Sequence, residues 1–456
     1  MKLWKYIKNE MLKNPNQIVC EDNLEMSYRE IISFAEDFSK KLKDQKCCAV
    51  MCESEFTAAR ILLACFAAGV TAVPVSARYG YKHCEKILET ISPTAIITDP
   101  DGEIKIEKIY SSTYREPMCT PALIMCTSGT TGKPKGAMLT EKNILANLKD
   151  IAAYFDIDEK DSILIARPLY HCAVLTGEFL LSLIKGVKIR FYSREFNPKA
   201  IMDIINASGI TVYCGTPTQL SLVARYNHKY SGCMIRTLCI SGECMNKETA
   251  QRITTGFMSA FNIYHVYGLT EASPRVSYLP KDMFYEHPDC VGIPLDSVEI
   301  RIVDKGGKEV KLGEEGILWV RGDNIMAGYY NSPKETERVL CAGWLCTNDI
   351  ALITPEGLLK IKGRSDDLII RAGMNIYPAE IEATLKKDGR VREVLAHKVE
   401  TTSMGTQIGL KIAGEFSCVD DVKKMCANLL PKFQMPIVIE LLEELPKNGS
   451  GKIIRR

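Results

Sequence analysis

An apolar run with helical spacing, a glycine, then at once a short β-branched run: this beat constrains the fold more than any other feature of the chain. Leu62 to Ala68 stops at Gly69 and leads into Val70-Thr71-Ala72-Val73-Pro74-Val75. Phe179 to Gly186 leads into Val187-Lys188-Ile189-Arg190-Phe191, and Ala200 to Gly209 into Ile210-Thr211-Val212-Tyr213. Glycine punctuates helices because it takes the left-handed conformation without a Cβ clash. Helix and strand in alternation predict parallel sheets covered by helices. From about Val291 to Ile361 the texture changes to short strands with polar turns, such as Ser297 to Val303 before Asp304-Lys305-Gly306-Gly307, which predicts an antiparallel β unit. Residues 367–456 carry a small α+β pattern of their own.

With 456 residues the chain has room for about three compact units. Hydrophobic residues make up 46% and charged residues 25%, which excludes a disordered or fibrous chain. Against 58 basic residues stand 56 acidic ones, so no global charge points to nucleic acid or to an acidic membrane. Residues Asp367 to Arg456 hold 14 basic and 12 acidic side chains, a balance that does not decide whether this part carries a basic docking patch. The 18 cysteines sit mostly in apolar runs and read as reduced core thiols. Without a Cys-x-x-Cys or a histidine at ligand spacing, they do not read as a zinc site. The start, Met1-Lys2-Leu3-Trp4-Lys5, lacks a signal peptide's apolar core, and the longest uncharged run, Ile61 to Ala77, is broken by Gly69 and Pro74. No membrane span and a cytoplasmic enzyme are the expectations. Nothing in the chain indicates an oligomeric state.

The densest local signal is Thr127-Ser128-Gly129-Thr130-Thr131-Gly132-Lys133-Pro134-Lys135-Gly136, directly after the apolar run Ala122 to Cys126. Hydroxyls, glycines and lysines let backbone N–H groups and positive charge approach a polyphosphate. The spacing is not that of a Walker A loop, because two residues separate Gly129 from Gly132 and Pro134 follows Lys133. Tyr267-Gly268-Leu269-Thr270-Glu271 offers an aromatic face, a hydroxyl and a carboxylate, a set that suits a base, a phosphate and Mg²⁺; alone it is equally a strand end and a turn. Asp349 and Arg364, fifteen residues apart, are compatible with gripping one ribose, and equally with a turn former and a surface charge. Lys447-Asn448-Gly449-Ser450-Gly451-Lys452 presents a lysine on a glycine loop.

In this order the runs resemble the adenylate-forming superfamily of acyl- and aryl-CoA synthetases, luciferase and peptide-synthetase adenylation domains. The likeness covers nearly the whole chain, with Pro168-Leu169-Tyr170-His171 similar to the acyl-pocket motif, Ser241-Gly242-Glu243 to the adenine-side loop, and Gly328-Tyr329-Tyr330 with Pro333 and Thr336 to the link toward the small domain. The resemblance implies an α/β fold: a large N-terminal domain over 1–364 of two α/β subdomains plus a small β-barrel-like subdomain near 291–361. A small mobile α+β C-terminal domain would follow over 365–456, hinged at Asp366. It further implies ATP phosphates on Thr127, Ser128, Gly129, Thr130, Thr131, Gly132, Lys133 and Lys135. The adenine would lie against Tyr267, Gly268, Gly242 and Glu243, the α-phosphate near Thr270, Mg²⁺ on Glu271, and the ribose on Asp349 and Arg364. Lys452 would bridge the substrate carboxylate and the α-phosphate, with His171 beside the reacting acid and Gly373 lining a thiol tunnel. The implied activity is ATP-dependent formation of an acyl-AMP with release of pyrophosphate, then transfer to a thiol, either CoA or the phosphopantetheine of an acyl carrier protein.

Three departures from the family pattern bear on these roles. Asn348 stands where glycine is usual before the ribose aspartate, and asparagine tolerates positive φ better than most residues. His265 stands two residues before Tyr267, where many members carry asparagine. The sequence given runs four residues past Lys452. For the acid, the pocket segment is His171-Cys172-Ala173-Val174, and Ala173 takes the place where amino-acid-activating relatives carry an aspartate. A substrate ammonium would be unpaired there, at a cost of ~3–5 kcal/mol. An uncharged, partly apolar acyl or aryl acid is therefore expected. Asn375-Ile376-Tyr377-Pro378-Ala379-Glu380 resembles CoA ligases more than peptide-synthetase domains.

Overall fold

The computed structural model describes residues 2–76, 81–128, 134–227, 233–371, 374–401, 405–447 and 453. The chain divides into two compact units, Met1–Ile300 with Val320–Cys346, and Arg301–Trp319 with Thr347–Arg456.

Two sheets organise the first unit. In the larger, nine strands run in the order Ile293–Pro294, Arg275–Tyr278, Asn262–Gly268, Thr237–Ser241, Val212–Gly215, Ser162–Ile165, Lys188–Phe191, Ile18–Glu21, Leu24–Ser27. Its inner six are parallel, and antiparallel strands close both edges. The second sheet has six strands in the order Lys105–Lys108, Ala95–Thr98, Cys47–Val50, Thr71–Pro74, Leu123–Ser128, Pro134–Leu139. The expected beats are present. Helix Glu55–Ala68 starts on Ser54, whose side chain accepts from the Thr57 N–H, and stops at Gly69 with φ +71°. Its buried residues lie all round it, from Phe56 to Phe66, which is why the run carries so little charge. Helix Pro198–Ala207 precedes strand Val212–Gly215, and Thr216 then caps helix Pro217–Ala224 through a capping box with Gln219. The helical run into Gly186 is less regular than its spacing predicts: a short turn, Cys172–Val174, widens into a π-helical segment, Leu175–Leu180, before Leu181–Lys185.

Over 291–361 the expected change of texture is a five-stranded sheet of Val298–Val303, Gly316–Gly322, Trp344–Ile353, Leu340–Cys341 and Leu359–Arg364. In the second unit, Val391–Thr401, Gly405–Gly414 and Val438–Leu441 form a three-stranded sheet. Helices Pro378–Leu385 and Val419–Leu429 share a core with that sheet, built on Ile381, Leu385, Val394, Ile408, Leu410 and Met425. All 18 cysteines are free thiols. Among the described residues no helix is long and apolar enough to cross a membrane.

Candidate active site

The glycine- and hydroxyl-rich run begins and ends on two paired strands. Strands Leu123–Ser128 and Pro134–Leu139 pair from Leu123↔Leu139 to Ser128↔Pro134, so residues 129–133 make the connection. Gly129, Thr130, Thr131, Gly132 and Lys133 lie outside the described residues, as does the Ser128 side chain. At the base of the hairpin the Thr127 hydroxyl donates to the Lys135 carbonyl at 3.4 Å. The Lys135 ammonium is ion-paired with Glu335 and lies 5.3 Å from the centre of the Tyr329 ring. Its charge is thus committed to Glu335 here, and Glu335, two hundred residues away, was not visible from the sequence.

One short segment joins that hairpin to Glu271. Ala327 donates to the Met138 carbonyl, Met138 to Gly328 and Tyr330 to Gly136, at 2.8–2.9 Å, so residues 327–330 run along the outer edge of strand Pro134–Leu139. Met326 N–H donates to the Glu271 carbonyl at 2.9 Å, and the Tyr329 hydroxyl donates to Glu271 Oε1 at 2.7 Å. From the sequence, Tyr329 and Thr336 belong to the segment similar to the link toward the small domain, with no individual role. The structure gives them one: Thr336 Oγ1 accepts from the Tyr329 N–H at 2.8 Å, and Tyr329 orients the carboxylate. Glu271 fits a Mg²⁺ ligand, being a half-buried, hard oxygen donor held in place by a neutral donor that leaves its charge intact.

Tyr267 and Gly268 end strand Asn262–Gly268 at a register shift, and Thr270 opens the following turn, Thr270–Ala272. A Cβ at Gly268 would lie 2.1 Å from the Pro274 carbonyl oxygen, so only glycine brings the chain this close to the next strand. Across the sheet edge, Gly242 has φ +90° and follows strand Thr237–Ser241. The Glu243 carboxylate accepts from the Thr218 hydroxyl at 2.7 Å.

His265 is turned into the core rather than toward a base. It is 1% exposed, and since Pro288 offers only a carbonyl, Nδ1 carries the proton and donates at 3.0 Å. Burial pulls its pKa down to about 4. The folded value lies below the unfolded one, so the stabilisation is fully present above about pH 6.5 and is lost as pH falls toward 4. Replacing His265 by Asn is expected to flatten the acid limb of the stability curve by about 3 kcal/mol. Denaturant unfolding between pH 4 and 7 measures it, and an unchanged slope would show that the imidazole does not titrate on unfolding.

In the pocket segment, Cys172 is 3% exposed and Val174 fully buried, with the Cys172 carbonyl accepting from the Thr176 hydroxyl at 2.8 Å. Of the four expected pocket residues, His171 and Ala173 keep accessible surface. The His171 ring packs against Tyr170 at 4.3 Å between centroids.

The second unit holds the remaining positions. Asp349 and Arg364 face each other in the ladder of Trp344–Ile353 and Leu359–Arg364, with Arg364 Nη1 donating to Asp349 Oδ1 at 3.2 Å. Asn348 has φ +58°, so asparagine serves where the family has glycine. Asp366 is exposed in the turn after Arg364, where Asp367 N–H donates to the Arg364 carbonyl. Gly373 and Lys452 lie outside the described residues. On either side of the Lys452 loop, Lys447 and Ile453 form an antiparallel bridge. Lys447 is held by Glu393 and Glu444, each at 2.5 Å.

The chain is similar to known proteins in sequence and in fold. The chain is 32% identical over 361 residues to the long-chain-fatty-acid–CoA ligase of Escherichia coli O157:H7, covering 76% of this chain and 63% of the ligase. It therefore spans about three-fifths of the length of the long-chain ligases it matches. It is 29% identical over 418 residues to the feruloyl-CoA synthase of an Amycolatopsis species, covering 86% and 84% of the two chains. Among solved structures, o-succinylbenzoate CoA synthetase from Bacillus subtilis, in complex with its acyl-adenylate intermediate, superposes with a TM-score of 0.85 at 26% identity, over 99% of this chain and 96% of that one. The family model described as AMP-binding enzyme matches residues 8–330, a span that carries both the 127–136 hairpin and the 267–271 turn. On its motifs, its sheets and this match, the chain belongs to the AMP-binding enzymes, the adenylate-forming family that its sequence resembles.

Proposed function

We propose that this protein activates a carboxylic acid with ATP and passes the acyl group to CoA. The observation that carries the reading is the linkage of strand Pro134–Leu139, through residues 327–330 and Tyr329, to the Glu271 carboxylate, which supports a phosphate loop and a magnesium ligand acting together. Thr127 to Lys135 bind the β- and γ-phosphates, with Tyr267, Gly268, Gly242 and Glu243 around the adenine. Asp349 and Arg364 hold the ribose. Mg²⁺, when bound at Glu271, offsets phosphate charge. His171 positions the acid, whose carboxylate oxygen attacks the α-phosphorus in line near Thr270. The P–O bond to pyrophosphate breaks, and Lys452 neutralises the charge that builds up. The thiol sulfur then attacks the acyl carbon and AMP leaves. Asp366 is the hinge between the two steps, and Gly373 lines the path of the thiol. The related names, a long-chain-fatty-acid–CoA ligase and a feruloyl-CoA synthase, support CoA as the acceptor. The free thiols support a reducing, cytoplasmic setting.

A panel of carboxylic acids, with CoA supplied or withheld, tests the reading. Pyrophosphate release and a CoA thioester are expected from an acid without an α-ammonium group, and neither from the standard amino acids. Robust use of an α-amino acid would overturn the pocket assignment, and product formed only on an acyl carrier protein would replace CoA as the acceptor.

A further inference from the structure

The pocket segment backs onto a buried group of charges that adenylation as described does not use. Arg167 lies just before Pro168, Glu178 is in the π-helical segment, and Arg275 is the first residue of strand Arg275–Tyr278. Glu178 is 2% and Arg275 4% exposed. Arg167 pairs with Glu178 and donates through Nη1 to Ser241 Oγ at 3.3 Å. Arg275 forms no ion pair among the described residues, and its Nη1 reaches only the Cys239 thiol, at 3.9 Å. Nε of both arginines and Oε2 of Glu178 are buried without a hydrogen-bond partner.

Arg275 is also fixed from behind. Asn147 Oδ1 accepts from its N–H at 3.0 Å, and its carbonyl accepts from Asn147 Nδ2 and Asn324 Nδ2 at 2.8 and 2.9 Å. On its other side a Cβ on Gly177 would come 2.9 Å from Nη2, so one end of the guanidinium abuts the widened turn. Two guanidiniums and one carboxylate leave one positive charge unbalanced in a low-dielectric interior, which is costly unless an anion joins it. Gly177 lies three residues beyond Val174, so the approach of Arg275 to it brings the guanidinium against the turn that continues the pocket segment. The Cys239 thiol is pulled below its ordinary value, first by its hydrogen bond with Cys214 and then by Arg275.

We propose that Arg275, with the Arg167–Glu178 pair beside it, is the anion-binding end of the acid pocket, and that the acid activated here is a short dicarboxylic acid whose second carboxylate pairs with Arg275. This rests on the acid-activation reading above. A bidentate pair between carboxylate and guanidinium satisfies donors that an alkyl chain would leave bare. A long-chain acid would bury its methylenes against three charged groups, so a long-chain ligase's substrate is a poor fit to this pocket.

Acid-dependent ATP–pyrophosphate exchange tests the proposal, with the dicarboxylates malonate to adipate and isophthalate set against propanoate to hexanoate and benzoate. The dicarboxylate of best length is expected to exceed its monocarboxylate counterpart in kcat/KM by about 100-fold. Arg275→Met is expected to lower that ratio at least tenfold, chiefly through KM for the dicarboxylate, and Arg275→Lys to restore part of it. Glu178→Gln, which removes the competing negative charge, is expected to raise the ratio. Exchange with monocarboxylates alone would overturn the proposal and leave acid activation standing. Loss of exchange with both acid classes in equal proportion in Arg275→Met, with Arg275→Lys no better, would make the arginine a structural residue and overturn it as well. Exchange with no acid of either class would take down the activation reading and this inference together.

Discussion

Lys452→Ala is expected to reduce acyl-adenylate formation by about 100- to 1000-fold while leaving thioester formation from a synthetic acyl-adenylate nearly unchanged. The reason is the position of the charge. A lysine aimed at the α-phosphate offsets negative charge that grows during attack by the carboxylate, and once the P–O bond to pyrophosphate has broken there is nothing left for it to stabilise. Lys447 bridges to Ile453 on the far side of Lys452 and is itself held by Glu393 and Glu444. Rapid-quench measurement of the two half-reactions separates them, and equal loss in both would show that Lys452 acts on folding or on nucleotide binding.

The second large effect is expected at Glu271. Glu271→Gln keeps the shape and the hydrogen bond from Tyr329 but removes the charge, so adenylation should fall about 100-fold or more and demand far more Mg²⁺. Tyr329→Phe leaves the charge and removes its orienting donor, and should cost about tenfold with a smaller shift in the Mg²⁺ requirement. Magnesium titrations of kcat/KM read both. A purely structural role for Tyr329 would lower activity without moving the titration.

The parts of this molecule that were legible in the sequence are those written in local patterns. The run into Gly69, the strand after Gly186 and the helix before Gly209 are fixed by spacing and by glycine chemistry, and each stands where its pattern places it. The pairing of strands Leu123–Ser128 and Pro134–Leu139 on either side of the dense glycine- and hydroxyl-rich run agrees with the local signal there. What depends on distant partners was not legible. No period in the sequence announces that Leu175–Leu180 widens to a π-helical turn, since all six residues, Thr176 and Glu178 included, are buried. Lys135 looked like a free phosphate-binding charge, and only the folded chain brings Glu335 to it. The four-residue pocket segment suggested an apolar wall for an uncharged acid. In the structure Cys172 and Val174 turn into the core, and three charged residues from separate elements lie behind that segment. A neutral reading of the pocket was the natural outcome of counting adjacent residues, and the dicarboxylate proposal is the outcome of seeing what the sheet places beneath them.

The central claim is that the chain makes an acyl-AMP. The measurement that tests it most directly is the nucleotide balance of one turnover, followed by ³¹P NMR or anion exchange with an accepted acid and CoA. The account predicts AMP and pyrophosphate in amounts equal to the thioester formed, with both abolished by Lys452→Ala. ADP and orthophosphate as products, or AMP released at a rate indifferent to the acid and to Lys452, would contradict it.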